Sequence, residues 1–208
     1  MMVCKITAKK GGFRMETIIK DKIDIKIDKD EILKQLHMEQ DNQCTGEVLN
    51  FIEAAEKLAK PKGVFREVFI EANDNNSIVI NGIRFESPTL CLKLRDTKKV
   101  FIFVVTSGME LYEWSNTIKD MLENYWANMI NQVIVISAQK VLERIIKDEF
   151  RVDHLNKMSP GFVKDWSISE QNKLFDLMEG ATESIGVKLT ESSLMIPAKS
   201  LSGIFYAD

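Results

Sequence analysis

A rigid turn in the last third of the chain carries the residues best suited to bind a small molecule. Ser159, Pro160 and Gly161 form this turn, because proline fixes its own φ angle and glycine tolerates the positive φ that a tight reversal needs. The turn exposes backbone donors and acceptors beside the cationic Lys157 and the aromatic Phe162. No histidine–carboxylate or cysteine–histidine pairing is suggested along the chain, so the sequence favours binding over nucleophilic catalysis.

The elements that follow the turn are expected to hold it in place. Ser167 and Glu170 have the spacing of a capping box, and apolar residues at helical spacing continue the helix until Gly180. Residues 187–192 and 201–206 alternate between apolar and polar side chains, which predicts two strands. The helix should therefore pack one face against a sheet.

These motifs, in this order, resemble the activation domain of cobalamin-dependent methionine synthase. The resemblance rests on Ser-Pro-Gly-Phe at 159–162, on Leu-Thr-Glu-Ser at 189–192 with Met195 and Pro197 after it, and on Lys-Ser-Leu-Ser-Gly at 199–203. It extends to Thr-Ser-Gly at 106–108, which precedes a predicted helix. The fold it implies is α+β, with an antiparallel or mixed sheet packed with helices in two layers.

The resemblance also implies a function. Domains of this family bind S-adenosylmethionine and help to return oxidised cobalamin to its methylated form, using an electron from a flavodoxin- or ferredoxin-type carrier. A chain of this size would act as a stand-alone accessory component on a separate corrinoid protein or methyltransferase subunit. The alternative is a non-catalytic docking module that keeps the corrinoid-facing surface and has lost S-adenosylmethionine binding.

Five candidate cofactor-binding residues lie at the turn. Lys157 occupies the position of the family's arginine, which binds the ligand carboxylate, and lysine keeps the charge but loses the planar fork. By the same resemblance, Ser159 would offer its backbone to the adenine, while Pro160 and Gly161 hold the turn. Phe162 replaces the family's tyrosine without its hydroxyl.

Three further candidates are carried over from other positions. Gln139 falls where the family has an acidic residue that holds the ligand's amino group, and Glu143 is one helical turn further on. Glu143 could equally be a solvent-facing residue paired with a neighbouring cation. Glu191 is retained in the predicted strand at 187–192.

The residues just after the turn depart from the family pattern. Val-Lys-Asp-Trp at 163–166 replaces the family's Pro-Ala-Cys-Pro continuation. Asp165 and Trp166 are candidates for a contact with a partner, since tryptophan is favoured at interfaces. The alternative is that Trp166 is a core residue that anchors the loop.

Composition narrows the class of protein. A net charge of -3 argues against nucleic acid or an anionic membrane as a partner. Three widely spaced cysteines and two histidines support neither a disulfide scaffold nor a structural zinc site, which favours a reducing cytoplasm. Cys91, among leucines, is expected to be a buried and inert thiol.

Residues 1–14 differ in character from the rest, being basic and without periodicity. The codons for residues 9–15 can contain a purine-rich ribosome-binding site, so we expect translation to start at Met15 and a single domain to span 15–208. The alternative is a disordered basic tail.

The remaining elements follow from hydrophobic periodicity. Strands are predicted at 17–27, 65–71, 78–85 and 99–105, the last of them central because its apolar run is continuous. Helices are predicted to begin near Asp28 and to span 48–58, 111–122 and 125–150. From Ser87 to Leu94 we expect a short link that is either helical or irregular.

Overall fold

The computed structural model describes residues 3–10, 13–38 and 44–207 of the chain. Its α+β fold places helices on both faces of an antiparallel sheet. The strands are β1 (Val3–Lys10), β2 (Phe13–Lys20), β3 (Lys62–Asn73), β4 (Ser77–Ile80), β5 (Ile83–Glu86), β6 (Lys99–Thr106), β7 (Asn156–Met158), β8 (Lys188–Leu189), β9 (Met195–Ile196) and β10 (Ser200–Tyr206). The helices are α1 (Lys29–Gln35), α2 (Thr45–Leu58), α3 (Pro88–Lys93), α4 (Met109–Thr117), α5 (Met121–Phe150), α6 (Gln171–Met178) and α7 (Ala181–Ser184), with a 3₁₀ turn at Ile168–Glu170.

The main sheet has the strand order β1-β2-β3-β6-β10-β7, and β4 and β5 extend it from the far end of β3. Every pairing in it is antiparallel. The strands β8 and β9 form a separate small sheet. The fold class expected from the sequence is therefore confirmed.

Strand β6 explains why the sheet is covered on both faces. Successive side chains of a strand point to opposite faces, so Ile102 and Val104 join the core beneath α3 and α6, while Phe101 and Phe103 pack against α5. The prediction of a central strand is confirmed. The expectation of two layers is wrong, because both faces of β6 are apolar and each needs its own helical cover.

The long helix α5 begins earlier than the sequence pattern suggested. The Asp120 carboxylate accepts hydrogen bonds from the backbone N–H groups of Leu122 and Glu123 and so starts a new helix there. The helix predicted over 111–122 would have included Met121 and Leu122, but α4 ends at Thr117. They lie instead on the exposed first turn of α5, where Met121 is 85% exposed.

Three predicted strands are shorter than the alternation of side chains implied. The strand predicted at 17–27 ends at Lys20, and residues 21–28 continue without strand pairing. The strand predicted at 78–85 is broken into β4 and β5 by positive φ angles at Asn81 and Gly82. The strand at 187–192 is reduced to β8, because residues 190–193 form a turn.

The helices predicted near Asp28 and over 48–58 are confirmed by α1 and α2. Of the two alternatives for the link after Ser87, the structure shows the helical one, α3. Val3–Lys10 pairs with Phe13–Lys20 as a hairpin at the edge of the sheet. The start at Met15 and the boundary at residue 15 stay predictions.

Candidate functional site

The predicted turn borders a cavity between α5, β7 and β10. The cavity has a volume of about 220 Å³. It is lined by Gln139, Lys157, Met158, Ser159, Phe162, Val163 and Leu201. Four of the eight candidate site residues therefore meet at one cavity.

Lys157 and Gln139 are in direct contact across this cavity. The Lys157 amine donates a hydrogen bond to the Gln139 side-chain oxygen at 3.1 Å, which joins β7 to α5. Burial lowers the pKa of Lys157, and the charge of Glu143 acts in the opposite direction. A ligand carboxylate would raise the pKa of Lys157, since an opposite charge nearby stabilises the protonated amine.

Glu143 lies next to the cavity but does not line it. Its carboxylate forms an ion pair with Lys147 at 2.8 Å on the same helix. The prediction left open whether Glu143 binds a ligand or is a paired surface residue. In the structure, Glu143 is paired with a neighbouring cation, Lys147, and is not a residue of the cavity wall.

The turn itself is closed by backbone hydrogen bonds. The Phe162 N–H donates to the Ser159 carbonyl at 3.2 Å, and Gly161 has a φ angle of 80°. The Gly161 N–H donates to the carbonyl of Trp166 at 2.8 Å. Pro160 is buried, and Phe162 is 87% exposed at the mouth of the cavity. The turn therefore fixes its backbone internally and presents Phe162 outward.

Gly203 lets the turn lie directly on the sheet. A Cβ atom built at this position of β10 would lie 2.6 Å from the Ser159 hydroxyl, and still closer to the Met158 carbonyl oxygen. Only a residue without a side chain fits between these atoms. The Lys-Ser-Leu-Ser-Gly motif at 199–203, which contributed to the resemblance, therefore provides the strand surface on which the turn packs.

Asp165 and Trp166 anchor the far end of the loop. The Asp165 carboxylate accepts hydrogen bonds from the Ser87 hydroxyl at 3.0 Å and from the Thr89 backbone N–H at 2.8 Å, which caps α3. The Trp166 side chain is 1% exposed and packs edge-on against Phe85. Of the two alternatives for Trp166, the structure shows the second: its ring is part of the core and anchors the loop, so it is not available to a partner.

Glu191 is the candidate that the fold separates from the others. It lies on the exposed turn between β8 and β9 and does not line the cavity. Sequence reasoning missed Met158, Val163 and Leu201, which give the cavity its apolar wall. The alternation of β10 could have indicated Leu201, since it lies two residues before Gly203 and faces the same side of the strand.

The arrangement suits the binding of a zwitterionic ligand. Lys157 offers a cation, and the amide of Gln139 can accept a hydrogen bond. Within residues 3–10, 13–38 and 44–207, no cluster of three or more histidine, cysteine, aspartate or glutamate side chains could hold a metal ion. In the same part of the chain, no helix has the length and apolar character that crossing a membrane requires.

Comparisons with known proteins point to one family. Residues 137–208 match the family described as vitamin B12 dependent methionine synthase, activation domain. This segment contains the cavity and all eight candidate site residues. The chain resembles the methionine synthase activation domain.

The likeness in fold extends beyond the matched segment. A crystal structure of the MetH reactivation domain bound to AdoHcy superimposes on 85% of this chain and 68% of its own chain, with a TM-score of 0.54 at 16% sequence identity. No curated protein sequence matches the chain significantly. The resemblance predicted from the motifs is confirmed.

Proposed function

We propose that this chain binds S-adenosylmethionine and assists the reductive methylation of a separate corrinoid protein. The observation that carries the proposal is the contact between Lys157 and Gln139 in a cavity beneath a Pro-Gly turn. The fold in which this occurs is that of a reactivation domain solved with AdoHcy. Lys157 would bind the ligand carboxylate and Gln139 its ammonium group, with Phe162 as the aromatic wall beside the adenine.

The chain would supply binding and orientation. In the proposed reaction, S-adenosylmethionine provides the methyl group and a flavodoxin- or ferredoxin-type protein provides one electron, so that cob(II)alamin on the partner becomes methylcobalamin. No acid or base from this chain is required. The role is that of an accessory component of a cobalamin-dependent methyltransferase, and the free thiol of Cys91 supports a reducing cytoplasmic location.

A docking module without a cofactor is the second candidate, and two observations favour it. The cavity volume of about 220 Å³ is below the roughly 300–1,000 Å³ typical of small-molecule sites. The Gln139 oxygen already accepts a hydrogen bond from Lys157, so an ammonium group would have to compete for it. In this version, the exposed Phe162 of the cavity and the exposed Ile168, which lies beside Gly161, would contact the corrinoid protein.

Calorimetry with the full chain separates the two candidates. We expect S-adenosylmethionine and S-adenosylhomocysteine to release heat on binding and to raise the Tm. Because a charged hydrogen bond contributes about 1.5–3 kcal/mol, Lys157→Ala should weaken binding by roughly tenfold or more. Lys164→Ala is the matched control, since Lys164 is exposed on the same loop and does not line the cavity.

The outcomes point in different directions. Absence of heat and of a Tm shift at millimolar ligand would discard the binding proposal and leave docking. Equal affinity of the Lys157→Ala protein and the wild-type protein would show that the cation has been assigned the wrong role. Failure to co-purify with any corrinoid protein would count against both candidates.

A further inference from the structure

The cavity beneath the turn has a positively charged wall. Among the residues that the structure describes, no carboxylate lines it, and Lys157 is its charged side chain. The side-chain oxygen of Gln139 already accepts a hydrogen bond from the Lys157 amine at 3.1 Å. The rest of the wall is uncharged and consists of Met158, Ser159, Phe162, Val163 and Leu201. A ligand in the cavity therefore meets a cation and no anion of the protein.

The residues around the cavity do not neutralise this charge. Burial lowers the pKa of Lys157, and the opposing effect of Glu143 is the smaller one. The Glu143 carboxylate is itself bound by the Lys147 amine at 2.8 Å, so this pair is neutral as a whole.

The sequence next to the wall adds further positive charge. The charged residues within two positions of a wall residue are three lysines and one carboxylate, namely Lys140, Lys164, Lys199 and Asp165. The Asp165 carboxylate is engaged at the other end of the loop, where it accepts hydrogen bonds from Ser87 and Thr89. The surroundings of the cavity are therefore also net positive.

The two forms of the proposed ligand differ by one charge at sulfur. S-adenosylmethionine carries a sulfonium cation, whereas S-adenosylhomocysteine carries a neutral sulfide in its place. The contacts of the carboxylate, ammonium and adenine groups are common to both ligands and cancel in the ratio of the two affinities. The sulfonium alone loses hydration as a charge and is repelled by Lys157.

The aromatic side chain of the wall offers the sulfonium little compensation. The Phe162 ring is 87% exposed, and a cation–π contact is weak where water still solvates the cation. The same ring is assigned to the adenine in the proposed function. The charge of the wall should therefore decide which form of the ligand binds more tightly.

We propose that the cavity is selective for the sulfide form, with S-adenosylhomocysteine bound about threefold to tenfold more tightly than S-adenosylmethionine. This inference rests on the proposed function, because it concerns the same site. S-adenosylhomocysteine is what remains when the bond from sulfur to the methyl group breaks, the bonding pair stays on sulfur and the methyl group passes to the reduced cobalt of the partner. The product of one cycle would therefore inhibit the next by competing with S-adenosylmethionine for the cavity.

The test is calorimetry of the full chain with each ligand separately and with the two in competition, at neutral pH. Lys157→Met removes the cation, so it should weaken binding of both ligands and bring their affinities to within about twofold of each other. Gln139→Glu places a carboxylate beside Lys157 and should reduce the preference for the sulfide at least about threefold.

Lys164→Met is the matched control. It removes the same charge from the same loop at an exposed residue outside the wall, so the preference should stay as in the wild type. Circular dichroism checks that the three variants are folded.

The outcomes separate this inference from the function on which it rests. Equal or tighter binding of S-adenosylmethionine by the wild-type chain would overturn the selectivity and leave the proposed function standing. An unchanged preference in the Lys157→Met protein would also overturn it, because Lys157 would not be its source. Absence of heat with either ligand at millimolar concentration would overturn the proposed function and this inference together.

Discussion

Replacing Gly203 by alanine is the most direct test of how the sheet supports the turn. The added Cβ would lie 2.6 Å from the Ser159 hydroxyl and closer to the carbonyl oxygen of Met158. The second contact is with backbone, so a side-chain rotation cannot relieve it. Strand β7 and the turn must therefore move away from β10.

The size of the effect follows from that displacement. Forcing extra atoms into a packed site costs about 1–3 kcal/mol, and for a chain of this size each kcal/mol lowers the Tm by roughly 2–4 °C. We expect Gly203→Ala to lower the Tm by about 2–12 °C. Because the same shift separates Lys157 from Gln139, which are 3.1 Å apart, any S-adenosylmethionine binding should weaken as well.

The measurement is thermal unfolding followed by circular dichroism, with urea unfolding as a second probe. Gly46→Ala is the matched control, because a Cβ built at Gly46 in α2 has no atom within 4 Å and alanine favours a helix. A Gly203→Ala protein as stable as the wild type would refute the close approach of the turn to β10.

Two further predictions concern the loop and its neighbouring helix. The hydrogen bond from the Thr89 N–H lowers the pKa of Asp165, so its stabilising effect is complete above the unfolded-state pKa and is lost as the pH falls through the folded-state pKa. Asp165→Ala should therefore lower the free energy of unfolding by about 0.5–2 kcal/mol at neutral pH. Urea titrations should show that this difference from the wild type becomes smaller in acid. A difference independent of pH would contradict the capping role. Burial raises the pKa of the Cys91 thiol, so iodoacetamide should modify Cys91 more slowly than Cys44 at neutral pH, as followed by peptide mass spectrometry; the reverse order would show that the core beneath α3 is open.

The sequence determined the local features that depend on residue type and spacing. The turn at 159–161 needed only the φ angles of proline and glycine, and the central position of β6 followed from its continuous apolar run. The order of the motifs was enough to indicate the family, because the matched segment, 137–208, contains most of them.

Only the tertiary structure decided which residues meet. Residues 139 and 157 approach because α5 packs across the sheet beside β7, and nothing in the intervening residues encodes that distance. Glu191 shares a motif with the family but lies on the turn between β8 and β9, away from the cavity. The alternation at 23–27 predicted a strand, yet a strand also needs a neighbour to pair with, and the chain supplies none there among its described residues. Periodicity reports which face of a segment is apolar, whereas pairing and proximity depend on where distant segments pack.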